Sequence, residues 1–178
     1  MKRYKLLLTI WWLKITRRLK TSGHLLTIKK EGSGVKNALI IVPEGQENSR
    51  TARYFLKSLY KNDKADLHFL MENRLYHTYN KIFKDNVKTY SVHSEINWFQ
   101  LPRKEFLKRV LSKRFDAVVD MHPEFKLPTA YLTYFSNAPL RVGFSSEFSE
   151  YFFNIIIDKK QSDFIEKGYQ KIQKLLGI

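Results

Sequence analysis

Three ionisable residues crowd one short stretch of the chain. Asp120, His122 and Glu124 follow directly on the apolar run Ala117-Val118-Val119. A histidine titrates near neutral pH, and neighbouring carboxylates suit it to proton transfer, so the trio is a candidate acid/base cluster. The same residue types bind metals. All three lie on one short loop, however, and no second ligand group stands elsewhere, so no metal site is expected. A plainer alternative has Asp120 capping the loop and His122 packing ahead of Pro123. An apolar run that stops abruptly at polar residues reads as a parallel strand opening onto a cleft. In open α/β sheets, ligands sit outside the carboxyl ends of the strands.

Other candidates fall at other strand ends. Glu44, Gly45, Asn48 and Ser49 form the turn after the first apolar run. Such a turn can cradle phosphate on a helix N-terminus. The dinucleotide fingerprint needs three glycines, this loop has one, and Glu44 and Glu47 repel phosphate. An ordinary acidic turn is the alternative. Arg141 and Gly143 are candidates for the same cleft, with Arg141 holding a carboxylate or phosphate. Alternatively Arg141 pairs with Asp120 or Asp158, and Gly143 eases the turn into Phe144. His93, Glu95, Asn97 and Trp98 form a polar-aromatic stretch in which Trp98 either faces a ligand or anchors the loop. Catalytic weight falls on Asp120, His122 and Glu44, and ligand-cleft roles on Glu124, Arg141, Gly143, Asn48 and Ser49. No cofactor is expected.

The elements that must position these residues can be read from periodicity and punctuation. Asn37–Val42 is a buried strand stopped by Pro43. Asn48 or Ser49 can cap the following helix, whose core face is Ala52, Phe55, Leu56 and Leu59 at i, i+3, i+4, i+7. Residues 66–71 form a second strand, 73–84 a helix and 87–90 a short third strand. Pro102 stands in the first turn of a helix with Phe106, Leu107, Val110 and Leu111 on its apolar face. Residues 115–121 are the strand beneath the acidic-histidine cluster, and Pro128 begins a helix through Tyr134. Leu140–Gly143 and Phe152–Ile157 are further strands, and a helix over 161–176 buries Phe164, Gly168, Ile172 and Leu175. Strands alternating with helices imply a parallel sheet, hence one Rossmann-like three-layer α/β domain over 37–178.

A length of 178 residues with 43% hydrophobic content is enough for one real core. The absence of cysteine excludes disulfides, thiolate metal sites and cysteine nucleophiles, and fits a reducing compartment. Charge is uneven. Residues 1–30 hold nine of the 32 Lys and Arg residues and none of the 17 Asp and Glu, giving that stretch +9 of the total +15. Lys2, Arg3, Lys5, Lys14, Arg17, Arg18 and Lys20 surround an apolar run, residues 6–13, that includes Trp11 and Trp12. The run is shorter than the ~20 residues of a membrane span, and no small-residue cleavage site follows it. A retained basic helix over 3–20 is expected, closed by Thr21-Ser22-Gly23 and joined to the body through residues 31–34. As a basic arm over 1–30 it favours an anionic partner, either a membrane surface or RNA, reached through residues 1–20. The alternative is a helix packed on its own domain. The expected location is cytoplasmic, at the inner membrane face where the arm meets lipid. A protein partner is also allowed for.

The segment Phe115-Asp-Ala-Val-Val-Asp-Met-His122, the helix after it and Ala138-Pro-Leu-Arg-Val-Gly143 resemble the N-terminal, acceptor-side domain of heptosyltransferase-type glycosyltransferases of the two-domain GT-B fold. Asn97-Trp98, Phe115-Asp116, Arg141-Val-Gly143 and Ile157-Asp158 resemble more closely a small uncharacterised bacterial family of the same architecture. The transferase resemblance implies a Gly-Asp pair after the first strand, with the Asp as base. Here Pro43-Glu-Gly-Gln-Glu-Asn-Ser49 stands in its place, with Glu44 or Glu47 as substitutes. It also implies a separate domain for the nucleotide-sugar donor. The leading expectation is therefore a non-catalytic binding module carried by its basic arm. The alternatives are a transferase-like protein of envelope glycan synthesis that needs a second domain, and an RNA- or ribosome-associated protein.

Overall fold

The computed structural model describes residues 3–19, 34–44, 46–60, 65–79, 82–83, 86–158 and 165–177, the side chains of 46–50 and 60 excepted. In chain order the elements are α1 (Arg3–Ile15), β1 (Asn37–Ile41), α2 (Gln46–Tyr60), β2 (Asp66–Glu72), a 3-10 turn (Asn73–Leu75), the single-turn α3 (Tyr76–Tyr79), β3 (Val87–Tyr90) and the single-turn α4 (Val92–Glu95). They continue with α5 (Lys104–Val110), β4 (Ala117–Asp120), α6 (Leu127–Phe135), β5 (Leu140–Phe144), a 3-10 turn (Ser149–Tyr151), β6 (Ile155–Ile157) and α7 (Ile165–Leu176).

The six strands form one parallel sheet in the order β3-β2-β1-β4-β5-β6. The order reverses between β1 and β4, which is the topological switch point of a doubly wound fold. A parallel sheet is covered on both faces, so its central strands are apolar throughout. Residues 38–42 of β1 and its end are fully buried, as are Ala117, Val118 and Val119 of β4. Alternate residues feed two cores. Ala38, Ile40, Phe69, Val119 and Val142 lie beneath Leu56 and Leu59 of α2 and Tyr169 and Ile172 of α7. Leu39, Ile41, Leu70 and Val118 lie beneath Phe106 of α5, Ala130 of α6 and Ile10 and Leu13 of α1.

Helix α1 thus packs on the domain rather than projecting from it. A 13-residue helix is marginal alone, and burying Ile10 and Leu13 contributes roughly 1.5–3 kcal/mol each. The helix stops at Ile15, short of the expected residue 20. Arg17 takes a left-handed conformation (φ 53°), and the N–H groups of Arg18 and Leu19 return to the Leu13 carbonyl. Leu19, buried, closes this end. The expected stop at Thr21-Ser22-Gly23 and the linker through residue 33 lie outside the described residues.

Other details differ from expectation, among them the strand expected over 152–157, which is Ile155–Ile157. Helix α2 begins at Gln46, so Asn48 and Ser49 sit within its first turn instead of capping it. Among the described residues of the helix expected over 73–84, Asn73–Leu75 form a 3-10 turn and Tyr76–Tyr79 one α turn. The stretch is poor in strong helix formers, and Phe83 turns inward to stack on Phe69 at 3.9 Å. Pro102 precedes α5 and bridges antiparallel to Ile96, where its missing N–H costs nothing. On α7 the buried stripe is Gly168, Tyr169, Ile172 and Leu176, with Leu175 only partly buried and Phe164 outside the described residues. A Cβ at Gly168 would meet the Phe144 ring at 2.5 Å, so glycine lets helix and sheet approach closely.

Candidate active site

The carboxyl ends of the four strands from β3 to β4 carry polar residues. Strand β1 leads through Pro43 to Glu44, β2 ends in Glu72, β3 in Tyr90 and β4 in Asp120. Register brings them together: Ile41 is level with Asp120 and Glu72 with Tyr90. Glu44 and Asp120 therefore flank the switch point, where the strand-end crevice of this topology lies.

At its centre is the pair Asp120–His122. One carboxylate oxygen, Oδ1, accepts the ring Nδ1–H of His122 at 2.6 Å and the backbone N–H of the same residue at 3.1 Å. Both side chains are almost wholly buried, 3% and 2% exposed. The second ring nitrogen, Nε2, is buried and has no hydrogen-bond partner among the described residues. Since Nδ1 donates to a carboxylate, the neutral imidazole carries its lone pair on Nε2. The capping role for Asp120 is thus present, and it leaves Nε2 unexplained. The segment is held from both sides. Met121 N–H donates to the Ile41 carbonyl at 3.1 Å, and the Tyr169 hydroxyl donates to the Met121 carbonyl at 3.3 Å.

Beside this pair the Tyr90 hydroxyl donates to Glu44 Oε1 at 2.9 Å. Burial, and then the Glu44 carboxylate, push the Tyr90 phenol far above its ordinary pKa, with Asp120 and Glu72 adding to the effect. Tyr90 is therefore a neutral donor at any physiological pH. Glu44 Oε2 also lies 3.7 Å from Lys126 Nζ, and Arg74 grips Glu72 through two nitrogens at 2.6 and 2.5 Å. Sequence reasoning did not single out Tyr90 or Glu72. Glu72 ends the apolar run Phe69-Leu70-Met71 as Asp120 ends its own, and that was the available signal; Tyr90, after Val87-Lys88-Thr89, had none.

The remaining candidates are placed differently. Glu124 is exposed on the surface of its loop. Arg141 is level with Val118, at the amino end of β5. Its guanidinium lies near the Tyr134 ring and donates to the Ala138 carbonyl at 3.3 Å. Gly143 makes room for Phe153, whose ring is 2.4 Å from where a Cβ would stand. The side chains of Asn48 and Ser49, and Gly45 altogether, fall outside the described residues. Trp98, expected to face a ligand or anchor its loop, is 70% exposed, and Ile96 and Leu101 anchor the loop instead. Lys5, Lys14, Arg17, Arg18, Trp11 and Trp12 cluster on α1 and the turn after it, and Arg3 pairs with Glu147 at 3.2 Å. Lys2 and Lys20 lie outside the described residues.

A model for a family of unknown function, DUF6913, matches residues 14–178. The chain belongs to that family. No curated protein matches it. Among solved structures, DUF6913 as seen here is similar to E. coli heptosyltransferase WaaC with ADP-2-deoxy-2-fluoro heptose, with TM-score 0.59 and 16% identity over 79% of this chain and 48% of that one. The same enzyme with ADP gives TM-score 0.57 and 14% identity over the same shares. A glycosyl transferase family 9 protein from Veillonella parvula gives TM-score 0.55 and 17% identity over 82% of this chain and 43% of that one. At these identities the likeness is one of fold: the Rossmann-like half domain of a GT-B transferase. The chain spans less than half the length of these proteins.

Proposed function

We propose that this chain is the acceptor-binding half of a two-part glycosyltransferase. It holds a hydroxylated, sugar-type ligand at the carboxyl ends of β1 and β4. The nucleotide-sugar half comes from outside residues 1–178. The observation that carries the reading is the buried Asp120–His122 pair at the switch point, with Nε2 of His122 left without a partner among the described residues. A buried polar atom without a partner costs about 1–3 kcal/mol, a cost that a hydrogen-bonding ligand removes. An acceptor hydroxyl donating to Nε2 does so. When that oxygen attacks the anomeric carbon of a nucleotide-sugar held by the other half, the bond from that carbon to the nucleoside diphosphate breaks, the diphosphate leaves with the electron pair, the imidazole takes the hydroxyl proton and Asp120 stabilises the imidazolium through Nδ1. Glu44, held by Tyr90, supplies an acceptor for a second hydroxyl.

The fold likeness to heptosyltransferase halves supports this reading over a module without a ligand cleft. Alone, the chain binds and does not transfer, because orienting donor and acceptor together supplies much of the rate. Calorimetric titration tests this with two panels, heptose- and hexose-containing oligosaccharides and nucleotide-sugars. Oligosaccharide binding weakened at least about tenfold by His122→Ala is expected, about the worth of one such hydrogen bond. Nucleotide-sugars should not bind. Absence of any saccharide binding sinks the proposal. Tight nucleotide-sugar binding that disappears in Asp120→Asn would instead make this chain the complete enzyme.

A further inference from the structure

Helix α1 is apolar on both sides. Its inner side, with Ile10 and Leu13, is in the second core. Its outer side exposes Leu8 (60%), Trp11 (62%) and Ile15 (59%), with Trp12 beside them. The loop tip Trp98-Phe99 joins this face: Lys5 Nζ sits 3.9 Å over the Trp98 ring, and the Thr9 hydroxyl donates to the Phe99 carbonyl at 3.4 Å. Among the described residues, eight of the thirteen exposed large apolar side chains belong to α1 or this tip, so the apolar surface is one patch rather than scatter. A cavity of about 440 Å³ runs between helix and tip, lined by Leu8, Trp11, Trp12, Trp98 and Phe99 among others. A helix apolar all round needs a second apolar partner. No described helix is long and apolar enough to cross a membrane, and thirteen residues reach only about 20 Å.

We propose that the outer face of α1 and the Trp98-Phe99 tip form a monotopic docking surface for an anionic phospholipid bilayer, with α1 lying in the interface plane. Charge complementarity selects the occupant. Lys5, Lys14, Arg17 and Arg18 rim the patch, and residues 1–30 hold no acid. Nearby Glu147 is engaged by Arg3, leaving Glu150 as the other carboxylate of that loop. Lys14 lies over Tyr151 at 3.7 Å and Arg18 over Trp12 at 4.7 Å, so the cations stand level with the aromatic rings, as an interface requires. A second copy would set the same cations against each other. RNA bases would stack on the tryptophans but leave Leu7, Leu8 and Ile15 in water, whereas acyl chains cover both. Helix α1 leans on the loops after β3 and β5. The inference stands independently of the transferase reading.

Co-sedimentation of the full chain with phosphatidylcholine vesicles, with and without phosphatidylglycerol, tests it. Binding to the phosphatidylglycerol vesicles is expected, weakened at least about tenfold by Lys14→Glu/Arg18→Glu and likewise by Trp11→Ser/Trp98→Ser. Circular dichroism melts check that these exposed substitutions leave the fold intact. If a variant unfolds, the unmodified chain decides the matter: brominated phosphatidylglycerol should quench its tryptophan fluorescence. No sedimentation with anionic vesicles, or no quenching, overturns the proposal. So does tighter binding to poly(U) that the same variants abolish, or a dimer that Trp11→Ser dissolves.

Discussion

Two Asp-x-His triplets occur in this chain, at opposite ends of the sheet. Asp66-Leu67-His68 opens β2, and Asp120-Met121-His122 closes β4 and runs into the loop beyond. In the first, Asp66 Oδ2 accepts from Lys113 Nζ at 2.8 Å and His68 Nε2 at 2.9 Å, while Oδ1 accepts from Asn86 Nδ2 at 3.0 Å. The carboxylate is half exposed, and Lys113, then His68, hold it below its ordinary pKa. Every strong site is partnered by protein or open to water. In the second triplet, both side chains are dry, one carboxylate oxygen serves two donors, and one imidazole nitrogen serves none. Identical residues at identical spacing thus make a saturated surface brace at the amino end and an incomplete buried site at the carboxyl end. The difference lies in what register and burial bring to each. Under the proposed function, that incompleteness at the switch point is what a ligand hydroxyl fills.

The comparison rests first on the frame beneath the buried pair. Val118, fully buried between Leu39 and Arg141, precedes Asp120 by two residues on the same face of β4. Val118→Asp puts an unpaired charge into the second core and should cost more than about 4 kcal/mol in urea unfolding. An unchanged midpoint would contradict the central position of β4.

Removing the acid from each triplet comes next. Asp120→Ala strips the acceptor from two donors in a dry site and should cost about 2–3 kcal/mol. Asp66→Ala, where water replaces the carboxylate, should cost less than about 1 kcal/mol. Equal losses in parallel denaturation curves would erase the distinction. Tyr90→Phe removes one buried hydrogen bond and leaves Glu44 to water and Lys126, for about 1 kcal/mol by thermal unfolding.

The smallest effect is the pH dependence of the brace. Its folded pKa is depressed, so Asp66 contributes stability above the unfolded value, about 4, and loses it as pH falls through the folded value. The stability difference between the natural chain and Asp66→Asn should shrink as melts are taken from neutral pH to below about 3. A difference that holds constant into acid would show that the ion pair contributes nothing.

Much of the fold was legible because parallel strands buried on both faces are short apolar runs, and each run here is punctuated. Pro43 stops β1, and Ala52, Leu56 and Leu59 mark α2 by spacing alone. Asp120 and His122 were legible because partners two residues apart travel together in sequence. Tyr90 and Glu72 were not, because they meet through the register of β2 and β3, which lies in tertiary pairing. Arg141 was misplaced for the same reason: being level with Val118 sets it at the end of β5 away from Asp120. A helix with apolar residues on both sides, such as α1, offers little moment to show which face docks, so a packed helix and a projecting arm read alike.

Imidazole nitrogen resonances of the 15N-histidine-labelled chain, followed while the heptose- and hexose-containing oligosaccharides are added, test the central claim most directly. His68 is the internal control, since its Nε2 already donates to Asp66. The account predicts that Nε2 of His122 shifts saturably with an oligosaccharide while His68 stays still, and that Asp120→Asn abolishes the shift. An Nε2 resonance of His122 that no saccharide moves, or that moves only in step with His68, would contradict it.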